Sequence, residues 1–158
     1  MEYIIRPIEP ADLELVVAMI REFAVFEDLV DQCEITVERL SSAMFSELAM
    51  VEGLIAFAAQ DAVGYALFVP TFSSFRGQRG LYLEDLYVSE AHRGKGIGHA
   101  LLQRIAALAS ERGFERIDFL VLDDNEPAHA FYRSLGAACN ADERHFKFVD
   151  DAFRRLAS

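Results

Sequence analysis

Apolar positions along the chain switch repeatedly between a period near two and a period near 3.6, and the switches predict the order of elements. Tyr3-Ile4-Ile5-Arg6, closed by Pro7, predicts a short strand. Pro10-Ala11-Asp12 opens a helix whose apolar residues Leu13, Val16, Val17, Ile20, Phe23 and Ala24 share one face and which ends near Glu27. A second helix starts at Thr36, has Glu38-Arg39 in its first turn and carries Val37, Leu40, Met44 and Phe45. Leu54–Ala59 and Gly64–Phe72 read as antiparallel strands joined at Gln60-Asp61-Ala62. A polar, glycine-containing turn from Ser73 to Gly80 leads into Leu81–Val88, the strand around which the chain is organised. Ala100, Leu101, Ile105 and Leu108 then mark a helix from about Gly96 to Arg112, stopped by Gly113. Arg116–Val121 reads as a short buried strand, and a right-handed crossover sets it parallel to Leu81–Val88. Asn125-Glu126-Pro127 caps a helix through Leu135, stopped by Gly136, and Arg144–Val149 predicts a last strand. No repeat, linker or low-complexity stretch interrupts this order, which is α/β.

Two features break the pattern. Glu84 and Asp85 lie inside a strand made otherwise of leucine, tyrosine and valine, and strand parity sends the two side chains to opposite faces. Between that strand and the next helix stands Arg93-Gly94-Lys95-Gly96-Ile97-Gly98. A helix start leaves backbone N–H groups without partners and carries the positive end of the helix dipole, so glycines there open the backbone to phosphate oxygens. Arg93 and Lys95 add positive charge to the same turn. A dinucleotide GxGxxG fingerprint needs glycine at 99 or 101, where the chain has His99 and Leu101, and the Walker pattern GxxxxGK[ST] is absent. What the spacing matches is R-x-x-G-x-G between a strand and an apolar helix.

Length and charge narrow the field further. The 158 residues, 53% of them hydrophobic, fit one domain over 1–158 with one substantial core. Fifteen Lys and Arg against 26 Asp and Glu give a formal charge of −11, which disfavours nucleic acid and anionic membrane and favours cationic partners. Cys33 and Cys139 lie far apart, no signal peptide is evident and no apolar run is long enough to span a bilayer, so the expected location is cytoplasmic. His92, His99, His129 and His145 lack metal-ligand spacing, and no metal is expected.

Ile5-Arg6-Pro7, Leu81-Tyr82-Leu83-Glu84-Asp85, the RGKGIG turn, Asn125-Glu126-Pro127, Phe131-Tyr132 and Gly136-Ala137 together cover nearly the whole chain. On these motifs it resembles the GNAT superfamily of N-acetyltransferases. Within that superfamily it resembles the group acting on diamines and polyamines, the spermidine/spermine and thialysine acetyltransferases. The resemblance implies a mixed central sheet of about six to seven strands flanked by about four helices. Two parallel strands splay apart to form the groove for acetyl-CoA, the co-substrate. It also implies acetyl transfer to a primary amine of a small cationic, diamine- or polyamine-like substrate by direct attack in a ternary complex, and a homodimer by family habit.

Carried over residue by residue, the resemblance sets backbone groups of Leu86, Tyr87 and Val88 against the pantetheine and the N–H groups of Arg93, Gly94, Lys95, Gly96, Ile97 and Gly98 on the phosphates. Glu84 is the candidate base, acting through water, because a partly desolvated carboxylate is a better proton acceptor and an alkylammonium must lose a proton. Tyr132 is the candidate acid for the leaving thiolate. It lies two helical turns after Asn125, which caps the helix and reaches the cofactor. Glu22, Glu27, Asp28 and Asp31, with Glu84, form an acidic wall for a cationic substrate. The turn Thr71–Gly80 departs from the polyamine pattern: it holds Arg76 and Arg79 and lacks the usual acid and Trp. An amino-acid amine of the thialysine or lysine type, or a peptide amine, is therefore the alternative substrate. A non-catalytic acyl-CoA sensor is the alternative of another class, and it would need neither Glu84 nor Tyr132.

Overall fold

A computed structural model describes residues 2–158, and the chain forms two compact units, one running to Leu120 and one over Val121–Ser158. The first unit is a five-stranded sheet in the order β1 (Tyr3–Pro7), β2 (Glu52–Ala58), β3 (Asp61–Ser73), β4 (Gln78–Val88) and β5 (Arg116–Asp118). Neighbours are antiparallel from β1 to β4, and β5 runs parallel to β4. Helices α1 (Leu13–Phe26) and α2 (Val37–Phe45) cover one face, and α3 (Ile97–Glu111) covers the other.

The alternating strand pattern explains this layering. In β3, Ala66 and Phe68 pack with Ile97, Leu101 and Ile105 of α3, while Tyr65 and Leu67 pack with Val16, Val17 and Leu40 of the opposite layer. Both faces are apolar because both are covered, so β3 and the middle of β4 read as near-continuous hydrophobic runs. The entry to α1 is fixed electrostatically. Asp12 is 5% exposed, receives Arg6 at 2.6 and 2.8 Å, and accepts the Glu9 N–H at 2.8 Å, so Pro10–Asp12 makes a single 3-10 turn before the helix proper. Thr36 caps α2 by accepting the Arg39 N–H at 3.2 Å.

The second unit contains α4 (Glu126–Ser134), capped by Asn125, and α5 (Asp150–Ala157). Three expectations are corrected. Among the described residues there are five strands and five α-helices, against six to seven strands and about four helices. Arg144–Val149 forms no strand: Phe146 and Phe148 are 88% and 66% exposed, and alternation without a neighbouring strand to pair its backbone does not make one. The following helix has acids in its first turn and arginines in its last, a charge order that suits the helix dipole. The strand expected over Arg116–Val121 is also shorter, ending at Asp118.

Candidate active site

The β4 strand changes parity halfway along. Leu67 of β3 lies opposite Asp85 and Phe68 lies opposite Leu83, which leaves Glu84 as the extra residue of a β-bulge. Before the bulge Leu81 and Leu83 pack on the α3 side; after it Leu86 and Val88 do so, while Asp85 and Tyr87 belong to the α1 side. Simple alternation, which the sequence suggested for Glu84 and Asp85, does not hold across this point. Glu84 is exposed, and the desolvation expected of it falls on Asp85 instead.

On its other edge β4 pairs with β5 only over Gly80↔Arg116, Leu81↔Ile117 and Tyr82↔Asp118. A Cβ on Gly80 would stand 2.5 Å from the Arg116 side chain and 2.6 Å from its carbonyl, so glycine is what lets these strands approach. Beyond Tyr82 no strand among the described residues continues the ladder along Leu83–Val88, which includes Leu86, Tyr87 and Val88. The parallel pair implied by the resemblance is thus present, with its ladder confined to three positions.

At the end of that edge the chain makes the turn from Arg93 to Gly98. Gly94 (φ +71°) and Gly96 (φ +83°) both adopt left-handed backbone, and a Cβ on either would meet nothing within 4 Å. Side chains are excluded here by conformation, and the space in front of the backbone is empty. Gly96 is the N-cap of the 15-residue α3, Ile97 anchors the first turn by burying its side chain to 1% exposure, and Gly98 is helical. The Arg93 N–H, expected on the phosphates, instead donates to the Glu90 carbonyl at 3.2 Å, because Arg93 closes the 3-10 turn Glu90–His92. From Gly94 onward the arrangement suits an anion: no Cβ in the way at Gly94 and Gly96, and the positive end of a long helix. The two cations are both tied to backbone, Arg93 Nε to the Val88 carbonyl at 2.9 Å and Lys95 Nζ to the Ala91 carbonyl at 2.7 Å.

The opposite side of β4 is acidic. Tyr65, fully buried, donates its phenolic proton to Asp85 Oδ2 at 3.0 Å, and Tyr87 donates to Glu22 at 3.2 Å. Burial raises the Asp85 carboxyl to about 6 against the pull of the Tyr65 hydrogen bond, and Glu84 and Glu27 push in the same direction as burial. Burial followed by Glu22 raises the Tyr87 phenol, with Arg93 opposing. So of the four wall residues expected outside β4, Glu22 and Glu27 act on β4 groups. Asp28, in left-handed backbone at φ +56°, and Asp31 are exposed on the turns that follow α1. Tyr65 and Asp85 are the pair that sequence reading left out of the site. The signal available for Asp85 was its place beside Glu84; nothing in the sequence marked Tyr65.

Arg76 and Arg79 are exposed on the β3–β4 hairpin, near its Ser74–Gly77 turn, at the end of β4 away from the glycine turn. In the second unit, Asn125 Oδ1 accepts the Ala128 N–H at 3.2 Å, and Tyr132 sits on α4 with its ring 5.0 Å from that of Phe131. Burial pushes the Tyr132 phenol up to about 12, so it stays protonated at neutral pH. Among the described residues no group of three or more His, Cys, Asp or Glu is placed to hold a metal, and no helix is long and apolar enough to cross a membrane.

Comparison with known proteins agrees with this geometry. The profile of the Acetyltransferase (GNAT) family matches residues 22–137. A thialysine N-epsilon-acetyltransferase from Bos taurus is 34% identical over 164 residues, spanning 97% of this chain and 96% of that protein. A spermidine/spermine N(1)-acetyltransferase-like protein from Homo sapiens is 32% identical over 145 residues, covering 87% of this chain and 21% of that protein. Among solved structures, an integron cassette protein from the mobile metagenome of V. cholerae superposes with a TM-score of 0.81 at 26% identity, covering 99% of this chain and 98% of that one. The chain belongs to the GNAT acetyltransferase family and is an acetyl-CoA-dependent N-acetyltransferase acting on amines.

Proposed function

We propose that this enzyme acetylates the side-chain primary amine of a thialysine-type amino acid by direct attack of the amine in a ternary complex. The observation that carries the choice of substrate is the likeness to thialysine N-epsilon-acetyltransferase along 97% of the chain. The unpaired β4 edge and the turn beyond it fit acetyl-CoA: backbone groups of Leu86, Tyr87 and Val88 hold the pantetheine, and N–H groups from Gly94 to Gly98 hold the phosphates. Acetyl-CoA supplies the electrophilic thioester carbonyl. Asp85, Glu22 and Glu27 hold the incoming ammonium on the α1 side of β4, with Asp28 and Asp31 extending the negative surface. Glu84 takes one ammonium proton through water, so that the amine lone pair forms the C–N bond; as the C–S bond breaks the nitrogen gives up its second proton to water, which restores the Tyr132 phenol after that phenol has protonated the sulfur. Tyr132 gives its proton to the departing sulfur, a role supported by a phenol held neutral on α4, and Asn125 at the start of that helix contacts the co-substrate. The reading extends to a single acetyltransferase domain in a cytoplasmic homodimer with no nucleic-acid or membrane partner, supported by the −11 charge and by family habit.

A small diamine is the second reading, favoured by the acids around Asp85. Comparing kcat/KM for thialysine, a diamine, spermidine and a monoamine at low and high salt separates the two. The amino acid should win at both salts, and the diamine should beat the monoamine only at low salt, because exposed pairs contribute about 0.2–1 kcal/mol each and are screened within about 8–10 Å. A diamine or spermidine preferred over thialysine would replace the first reading with the second.

A further inference from the structure

We propose that Arg93 is a positioning residue that fastens the end of α1 to the phosphate turn, so that filling the turn with acetyl-CoA orders the amine side of the site. The location of that amine side rests on the function proposed above. In a glycine turn a basic residue is expected to serve as charge for phosphate, yet Arg93 is used otherwise. Its Nε donates to the Val88 carbonyl at 2.9 Å, and its guanidinium carbon lies 4.2 Å from the centroid of the Phe26 ring and 5.7 Å from that of Tyr87. Phe26 is the last residue of α1 and is 47% exposed, so the Arg93 guanidinium is a contact its ring makes at the edge of the packed layer. Tyr87 in turn donates to Glu22 and packs on Phe23, ring centroids 5.4 Å apart. The contacts close a circuit from the turn through β4 to α1, the helix that carries Glu22 and leads directly into Glu27.

The chemistry requires arginine. A planar guanidinium can bond a carbonyl through Nε while its face lies on an aromatic ring; an ammonium offers no such plane. Lys95 in the same turn shows the contrast, its ammonium bonding the nearby Ala91 carbonyl. Phosphate oxygens on the backbone N–H groups fix the turn, the turn fixes Arg93, and Arg93 fixes the last turn of α1. Linkage makes the effect reciprocal: a bound amine tightens acetyl-CoA by the same factor.

The test compares wild type with Arg93→Lys, Phe26→Leu and the double variant, using acetyl-CoA as the probe. Hydrogen exchange is followed at the α1 end, where the Glu27 N–H bonds Phe23 and the Leu29 N–H bonds Ala24. Saturating acetyl-CoA should slow exchange there about two- to fivefold in wild type, the scale of an exposed cation–π contact. Both single variants should lose that protection while calorimetry shows acetyl-CoA affinity kept within about fivefold; the amine KM should rise more than kcat falls, and the double variant should be no worse than the poorer single. Protection that survives in either variant, or none in wild type, overturns the proposal. A loss of acetyl-CoA affinity beyond about tenfold in Arg93→Lys overturns it too, by marking Arg93 as a phosphate contact. Should Arg93→Lys fail to fold, Phe26→Leu decides alone. The exchange arm needs no amine, so a wrong substrate assignment would appear as missing turnover with the protection intact.

Discussion

Replacing Tyr65 with Phe removes one oxygen from a fully buried side chain and leaves Asp85 without the hydrogen bond that favours its ionised form. A hydrogen bond to a charged group contributes about 1.5–3 kcal/mol, and about 1.4 kcal/mol corresponds to one pH unit. Part of that bond survives with a neutral carboxyl, so a rise of about one unit from the wild-type value of about 6 is expected. The sign for stability follows. A carboxyl raised above its ordinary value near 4 binds its proton more tightly in the folded chain, so its contribution is complete below about 4 and is lost as the pH climbs through about 6. In the variant that loss extends toward about 7. For activity, the proposed hold of Asp85 on the substrate ammonium requires the ionised carboxylate, so on that proposal the acid limb of kcat/KM should centre near 6 in wild type and about one unit higher in Tyr65→Phe, with the rates above about pH 8 within roughly threefold. Initial rates of thiol release across about pH 5–9 measure it. A limb that stays where it was, or lies nowhere near 6, would refute Asp85 as the ammonium carboxylate and Tyr65 as its support.

Other expectations follow from single contacts. Gly96→Val puts a branched residue at φ +83° and a side chain into the empty space before the α3 N-terminus, so acetyl-CoA binding by calorimetry should be abolished in a folded variant; unchanged affinity would remove the phosphate site from this turn. Tyr132→Phe should lower kcat by roughly 10²–10⁴ with little change in acetyl-CoA affinity, whereas turnover within about threefold of wild type would make Tyr132 a packing residue. Asp12→Ala strands Arg6 and frees the Glu9 N–H, at a cost of about 2–3 kcal/mol in denaturant unfolding, less than a fully buried pair because Arg6 is partly exposed. The Arg6 guanidinium holds Asp12 below the usual carboxylate range. That stability is therefore present above the ordinary value and lost as pH falls through the lowered one, and the variant should show a flatter acid limb of Tm. Gly80→Ala should destabilise the protein by about 1–3 kcal/mol, because its Cβ meets the Arg116 backbone and the β4–β5 ladder must open; an unchanged Tm would contradict this.

The elements that sequence pattern disclosed are those whose stability is local or strongly periodic. The helix faces of α1 and α3, the Thr36 and Asn125 caps, and the glycine stops at Gly113 and Gly136 were legible because one residue type at one position has one physical use. The glycine turn was legible too, and the left-handed backbone at Gly94 and Gly96 explains why. What escaped depended on partners distant in sequence. The bulge at Glu84 exists because β3 and β4 change register, and no pattern in β4 alone reveals which of Glu84 and Asp85 is desolvated. Tyr65 reads as core, and becomes a hydrogen-bond donor only when Asp85, 20 residues on, is folded against it. Arg93 read as phosphate charge, and its contact with Phe26 joins a turn to a helix 67 residues earlier (93 − 26 = 67). Arg144–Val149 failed in the other direction: its alternation is present, but no strand among the described residues pairs with it.

The most direct measurement of the account is the product itself. The enzyme is incubated with acetyl-CoA and thialysine, released thiol is counted, and the position of the new acetyl group is determined by fragmentation mass spectrometry. One thiol should be released per acetyl-amide formed, with the acetyl on the side-chain nitrogen, and neither thiol release nor acetylated enzyme should appear when the amine is omitted. Acetyl found on the α-amine, or an acetyl-enzyme formed without amine, would contradict it.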